Sequence, residues 1–468
     1  MNMLKDMHER AVLLVPDKVL LPDGVHSGLG VRVERGRITD VGPAGRFSAE
    51  ALPTIPLPRR LLMPGFVDAH HHVTQTFGKS LVFGEPSEIF RRIWVPMERH
   101  MDAEAIDVAA RLAAWESLRG GFTTVADAGT RATVGMEIVA DAVGAVGLRC
   151  VLGAICNDLQ GGQAVATEAQ ILQLARHHLG RWDRHPLIHP SLAISIPEAA
   201  SDEVLVAVAR LSREARVPFQ THLNEHLAAV ERSLVATGLR PLQRLGRLGA
   251  IGPELLAAHA TLLTPDEIAL LRDSGAAVSY NPVASAWKGN AVAPALLLSE
   301  LGVRLGLGTD GTRSDAFRLL DAAETAQRLT SAMASGDSSA GGGWRWLDMG
   351  LRGGADAVGL AGKVGEIAPG AHADLLVVKL DIPELAPSWD LEWELVRLAN
   401  RDQIESVIVQ GRLRLDRGLP VDWDGEALMD RARAIAERIA ASAPIQRIDP
   451  CASEHRAQWK ARQEARRP

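Results

Sequence analysis

Two histidines, His70 and His72, stand two positions apart at the end of the apolar run Pro64-Gly65-Phe66-Val67-Asp68-Ala69. Strand side chains alternate faces, so these two imidazoles point the same way and His71 points the other. A lone histidine on an apolar strand is more often a hydrogen-bonded core residue than a ligand. Three further segments shift that balance. Gln220-Thr221-His222-Leu223-Asn224-Glu225, Ala257-Ala258-His259 and Gly308-Thr309-Asp310-Gly311 each set a polar group at or near the end of another short apolar run. Three imidazoles (His70, His72, His222) and the Asp310 carboxylate suit a borderline cation such as zinc, leaving His259 and Glu225 for acid and base work.

These groups can meet only if separate elements carry them to one place. From Leu61 to about Gly311 short β-rich runs alternate with longer helical patterns, the signature of βα units and a parallel sheet. The β-rich runs are 65–68, 123–127, 149–152, 187–196, 217–220, 255–258, 276–279 and 303–307. Helical spacing of apolar residues marks Ala103 to Arg119, Asp202 to Ala215 and Pro265 to Asp273 between them. Eight strand–helix repeats predict an α/β fold, a (β/α)₈ barrel, and the candidate groups fall at the carboxyl ends of strands one, five, six and eight, where such barrels carry their sites.

Outside the barrel, the segments Ala11 to Pro58 and Val364 to Leu415 hold short β-type runs split by glycines, and both chain ends are expected to pair into one small β-sandwich. The predicted division is 1–60 with 362–420 for that sandwich, 61–361 for the barrel and 421–468 for a helical extension whose main helix covers Gly425 to Ser442. Gly336 to Gly343 reads as a flexible loop and Lys460 to Arg467 as a solvated basic tail.

The chain has 468 residues, 47% of them hydrophobic, ample for a large core plus a second small domain. With 51 basic and 57 acidic residues and a net charge of −6, nothing calls for nucleic acid or an anionic membrane. No run is apolar and long enough to span a bilayer and the charged start lacks a signal-peptide core, so a cytoplasmic protein is expected. Cys150, Cys156 and Cys451 match no CxxC spacing and are expected to be buried free thiols. That also argues against the compact zinc deaminase that relies on P-C-x-x-C.

Met63-Pro64-Gly65-Phe66-Val67-Asp68-Ala69-His70-His71-His72 with Gln75, Gly121-Phe122-Thr123-Thr124-Val125-Ala126-Asp127, His222-Leu223-Asn224-Glu225, His259, Gly308-Thr309-Asp310-Gly311, and Gly365 to Gly370 with Ala373-Asp374-Leu375 together resemble the amidohydrolase superfamily. The resemblance is to its heterocycle aminohydrolases, such as cytosine, guanine and S-adenosylhomocysteine deaminases and s-triazine hydrolases, and covers about Ala11 to Gly418. It implies one divalent metal, zinc or alternatively iron, held by His70, His72, His222 and Asp310. Binuclear relatives carry a carboxylated lysine on strand four, but Leu187 to Ile196 contains no lysine, which favours one metal. Two departures stand in the expected pocket wall. Tyr280-Asn281-Pro282 replaces a common His-Asn-Pro, and Ser195 takes the place of a substrate-contacting histidine.

The implied chemistry is attack of metal-activated water on a ring carbon bearing an amine, with Glu225 moving the proton and His259 and Asp310 orienting the nucleophile. Gln75, Trp94, Glu98, Ser195, Glu225 and Tyr280 are the expected substrate contacts, with the segment Phe83 to Glu98 as a cap and Trp94 stacking on a flat ring. Trp287 and Lys288 are expected on a solvent-facing rim. The partner is a small heterocycle, and because relatives commonly pair, a homodimer or larger homo-oligomer is expected. Two other readings share the residues: expulsion of chloride or an alkylamine from a triazine or opening of a cyclic amide, and a non-catalytic metal-binding scaffold.

Overall fold

The computed structural model describes residues 7, 8, 10–85, 88–337, 341–448 and 452–466. Cys451, part of the 336–343 stretch and the end of the basic tail lie outside the described residues.

Eight strands form one parallel sheet in sequential order: Phe66–His71, Phe122–Asp127, Arg149–Ile155, Ile188–Ala193, Phe219–Leu223, Leu255–His259, Ala277–Tyr280 and Arg304–Leu307, barrel strands one to eight. A parallel bridge between His71 and Asp310 brings the last strand's extension back to the first, so the sheet is a nearly closed barrel. All six residues of strands one and two are buried, as expected of strands covered on both faces. Inside the barrel, Val67, Ala69, Ala126, Val151, Leu256 and Ala277 form a tight apolar plug, sealed by Val358, Leu360 and Val364. The polar groups are left at the opposite, carboxyl-terminal end.

The outer helices begin where short polar side chains satisfy the first free amides. Asp102 accepts from Ala105 N ahead of Ala103–Arg119, and Ser201 from Val204 N ahead of Asp202–Ala215. Thr264 and Glu267 form a reciprocal capping pair at Pro265–Ser274. These three helices follow the apolar spacing closely, and so does Gly425–Ser442, which packs on Ala103–Arg119 and adds an Arg438–Asp102 ion pair at 2.8 Å. The terminal helix Ala452–Glu464 is exposed along residues 453–464.

Both chain ends pair in one nine-stranded sheet with its own apolar core of Val12, Leu14, Val31, Ile38, Val377 and Ile408. Its central strand, Thr54–Pro64, pairs in parallel with Val12–Leu21 and antiparallel with Leu375–Lys379. Sequence patterning misses this strand because Pro56 and Pro58 remove ladder donors and mimic a loop.

Arg149, on barrel strand three, fastens the two parts. Its Nε and Nη2 donate to both oxygens of Asp374 at 2.9 and 3.3 Å, and both side chains are fully buried. Asp374 Oδ1 also accepts from Gln410 N at 2.7 Å, which gives the Ala373-Asp374-Leu375 motif a structural role. Arg149→Met strands the Asp374 charge in the interior and is expected to cost about 3–5 kcal/mol, read as a lowered urea midpoint.

Candidate metal centre and active site

His70, His72, His222 and Asp310 converge at the carboxyl-terminal end of the barrel. His72 Nε2 lies 3.1 Å from His222 Nε2 and 3.4 Å from Asp310 Oδ1, and His70 Nε2 lies 4.0 Å from the same oxygen. Ligand atoms of His70, His72 and His222, and of His70, His259 and Asp310, form two overlapping triads with all spacings within 4.8 Å. His71 points away, its Nδ1 bonding with Thr309 Oγ1 at 2.9 Å.

The backbone is bent to bring these groups together. Asn224, His259 and Asp310 all have left-handed φ values, of 48°, 76° and 58°. Asn, His and Asp tolerate that region better than most side chains, yet each such residue still costs free energy that the surroundings must offset. Asn224 is held by its amide, which donates to Glu267 Oε1 at 2.9 Å and to Leu262 O at 3.1 Å. Asp310 N donates to His70 O at 2.8 Å, and Thr309 N to Asp68 Oδ1 at 2.9 Å. Asp68 thereby staples strand one to the loop after strand eight, while burial raises its pKa to about 7. Asp127 does the same for strand two, accepting from Val73 N and Gly129 N at 3.0 Å each.

The donor set fits a borderline divalent cation. Ser195 O can only accept, so its 2.7 Å contact with His222 Nδ1 places the proton there and leaves His222 Nε2 bare. His70 Nε2 is buried with no hydrogen-bond partner. Burial lowers the pKa of all three imidazoles, to about 4 for His222, keeping them neutral as ligation requires. Asp310 stays ionised: burial raises its pKa, but Lys288 and His259 pull it well below the usual carboxylate range.

His259 is set apart by its partners. Ser279 Oγ donates to Asn281 Oδ1 at 2.7 Å, which turns Asn281 Nδ2 toward His259 Nδ1 at 3.2 Å. A ring that accepts at Nδ1 carries its proton on Nε2. That Nε2 faces the centre, 3.8 Å from Glu225 Oε2 and 3.7 Å from Asp310 Oδ2. Gly308 is required beside this latch, since a Cβ there would fall 2.3 Å from Asn281 Oδ1 and 3.0 Å from His70 Cβ.

Several expectations need correction. Lys288 does not face solvent: its Nζ donates to Asp310 Oδ2 at 2.6 Å and to Glu225 Oε1 at 2.7 Å. Tyr280 does not face the cavity. Its hydroxyl donates to Ala323 O at 3.2 Å and accepts from Gln327 Nε2 at 3.1 Å, because strand alternation sends Ser279 and Asn281 inward and Tyr280 outward. Glu98 is fully buried behind the wall, where Thr74 Oγ1 donates to it at 2.6 Å and Arg131 Nη1 at 3.1 Å. Glu98 therefore anchors Arg131 and is not among the residues that line the cavity.

A cavity opens above the centre. Gln75, Trp94, Ser195 and Glu225 line it, together with Phe90, Arg131 and Asn290. Phe90 and Trp94 sit on a π-helical turn, a distortion frequent at functional sites, which forms part of the cap. The Arg131 guanidinium lies 4.4 Å from the Phe90 ring centre and donates to Ser195 Oγ at 3.3 Å.

A nearly closed parallel barrel with imidazoles, an aspartate and a glutamate gathered at its carboxyl-terminal mouth defines the metal-dependent barrel hydrolases. The chain belongs to the amidohydrolase family, whose sequence profile matches residues 61–414. It is thus a hydrolase of carbon–nitrogen bonds other than peptide bonds, from a metal-dependent family. It is 31% identical, over 92% of its length and 99% of the relative's, to a 5-methylthioadenosine/S-adenosylhomocysteine deaminase of Syntrophobacter fumaroxidans. A 5'-deoxyadenosine deaminase of Methanopyrus kandleri is 30% identical, over 82% of this chain and 87% of the relative. Among solved structures, an adenosine deaminase from Xanthomonas campestris with bound zinc superposes with a TM-score of 0.85 at 28% identity, covering 92% and 98% of the two chains. Among the described residues, no helix is long and apolar enough to cross a membrane.

Proposed function

We propose that this chain is a hydrolytic deaminase of an aminopurine-type heterocycle, with one zinc ion held by His70, His72, His222 and Asp310. The observation that carries the reading is the posture of Glu225. Lys288 and Asn290 engage its Oε1 at 2.7 and 3.2 Å, while its Oε2 faces the ring nitrogen of His259 beside the centre. Burial raises the Glu225 pKa, but His259 and Lys288 outweigh it and hold the carboxylate ionised, as a base must be.

When bound, a divalent cation at this centre supplies a nucleophile at neutral pH by lowering the pKa of water from about 15.7 to about 7. Glu225 Oε2 takes one water proton and delivers it to a ring nitrogen, then takes the second from the added hydroxyl and passes it to the amine, which leaves as ammonia as the carbon–nitrogen bond breaks. His259 Nε2–H stabilises charge that develops as the attacked carbon becomes tetrahedral. Trp94 and Phe90 offer flat faces to a ring, and Gln75, Ser195 and Arg131 offer polar contacts to its edge. The same reading holds the protein to be cytoplasmic and homo-oligomeric.

The test is a panel of adenosine, 5'-deoxyadenosine, 5-methylthioadenosine, S-adenosylhomocysteine, guanine, cytosine and a chlorotriazine, assayed for ammonia and chloride. Ammonia from at least one aminopurine is expected. Chloride alone, or no ammonia from the zinc-loaded protein, overturns the deaminase reading.

A further inference from the structure

At the amino-terminal end of the barrel, two hairpin turns of the small sheet meet the start of barrel strand four and the helix Met136–Val146 around an open groove. Three arginines, Arg35, Arg412 and Arg414, line it together with His185. The turns are interlocked: Arg35 and Gln410 both have left-handed backbones, with φ of 49° and 52°. A Cβ on Gly36 would come within 2.6 Å of Gln410 O, so the close approach that positions Arg35 beside Arg412 requires glycine there.

Arg414 is the core of this cluster. It is only partly exposed, and its buried Nε has no hydrogen-bond partner. The guanidinium lies across Gly147, where a Cβ would fall 2.4 Å from both Cζ and Nε. Burial and the charge of Arg412 lower its pKa, with Asp422 and Asp374 opposing more weakly. Asp374 is already committed to Arg149 and to Gln410 N. His185 Nδ1 accepts from Leu187 N and Ile188 N at 3.2 and 2.9 Å, which leaves Nε2 as the protonated nitrogen. Asp141 is the carboxylate on the groove wall among the described residues, and it is exposed.

In a chain with a net charge of −6, this concavity thus gathers three guanidiniums and, among the described residues, one lining carboxylate, Asp141. A partly buried guanidinium with an unpartnered Nε is costly, and the planar fork of arginine matches phosphate oxygens two at a time. We propose that this groove binds a phosphate dianion, the chemistry shared by inorganic phosphate and the phosphate of a nucleotide. Arg412 and Arg414 would clasp it, with Arg35 and His185 at the rim. The site stands at the end of the barrel opposite the catalytic cavity and is independent of the deaminase reading.

Isothermal titration of the full zinc-loaded chain at low ionic strength tests this, with inorganic phosphate and, separately, uridine monophosphate, whose base carries no exocyclic amine. Saturable one-to-one binding is expected, weakened about tenfold or more in Arg412→Ala through loss of a charged hydrogen bond, with turnover unchanged. Arg414→Lys keeps the charge but removes the fork. The same weakening at an unchanged melting temperature separates lost recognition from lost folding. Equal affinity for both probes assigns an inorganic ligand, and tighter uridine monophosphate binding assigns a nucleotide. Absence of saturable heat with either probe, or undiminished affinity in Arg412→Ala, overturns the proposal.

Discussion

Glu225→Gln is expected to lower kcat by about 10²- to 10⁴-fold while the protein keeps its metal and its fold. The amide has nearly the same shape, so Lys288 Nζ and Asn290 Nδ2 still find an oxygen acceptor where Glu225 Oε1 now stands. What disappears is a group able to accept a proton beside His259. Glu225 belongs to neither of the two triads of converging ligand atoms, so metal content by elemental analysis should match the parent. A glutamine variant with parental turnover would remove Glu225 from the proton path. One that loses metal as well would move Glu225 into the ligand set.

Stripping the cation with a chelator is expected to abolish turnover and to lower the melting temperature without unfolding the chain. A ligand at about 1,000 times its Kd stabilises the folded state by about 4 kcal/mol, and that contribution is withdrawn on removal. The barrel survives the loss because Lys288 already gives Asp310 and Glu225 a counter-charge, and burial keeps His70, His72 and His222 neutral. Circular dichroism of the chelated protein should retain its helical signal, and added zinc should restore activity. Full turnover after exhaustive chelation would sink the metal-dependent reading.

The barrel was legible because βα alternation is a long-period signal that single exceptions do not erase. The groups at its mouth were legible because histidine, aspartate and glutamate ended separate apolar runs. Lys288 was not, since it follows strand seven on the short helix Pro282–Lys288 and reaches the centre only through its long flexible stem. Tyr280 was misread by one position, and in a strand one position reverses the face. Glu98 is on a cap helix whose burial depends on Thr74 and Arg131, residues from two different loops. Motifs such as Asp68 and Asp374 stood out in the sequence, but their work is to staple backbone, which no local pattern distinguishes from chemistry.

The strand Thr54–Pro64 carries a consequence for how the chain is made. It leads directly into the first barrel strand, yet one of its flanks is covered by Leu375–Lys379, over three hundred residues downstream. During synthesis that edge stays open until residues 375–379 have left the ribosome, and ring closure between the first and eighth barrel strands also waits on distant sequence. A product cut short before residue 375 is therefore expected to collect in the insoluble fraction, and chaperone demand during expression should be high for a protein of this size.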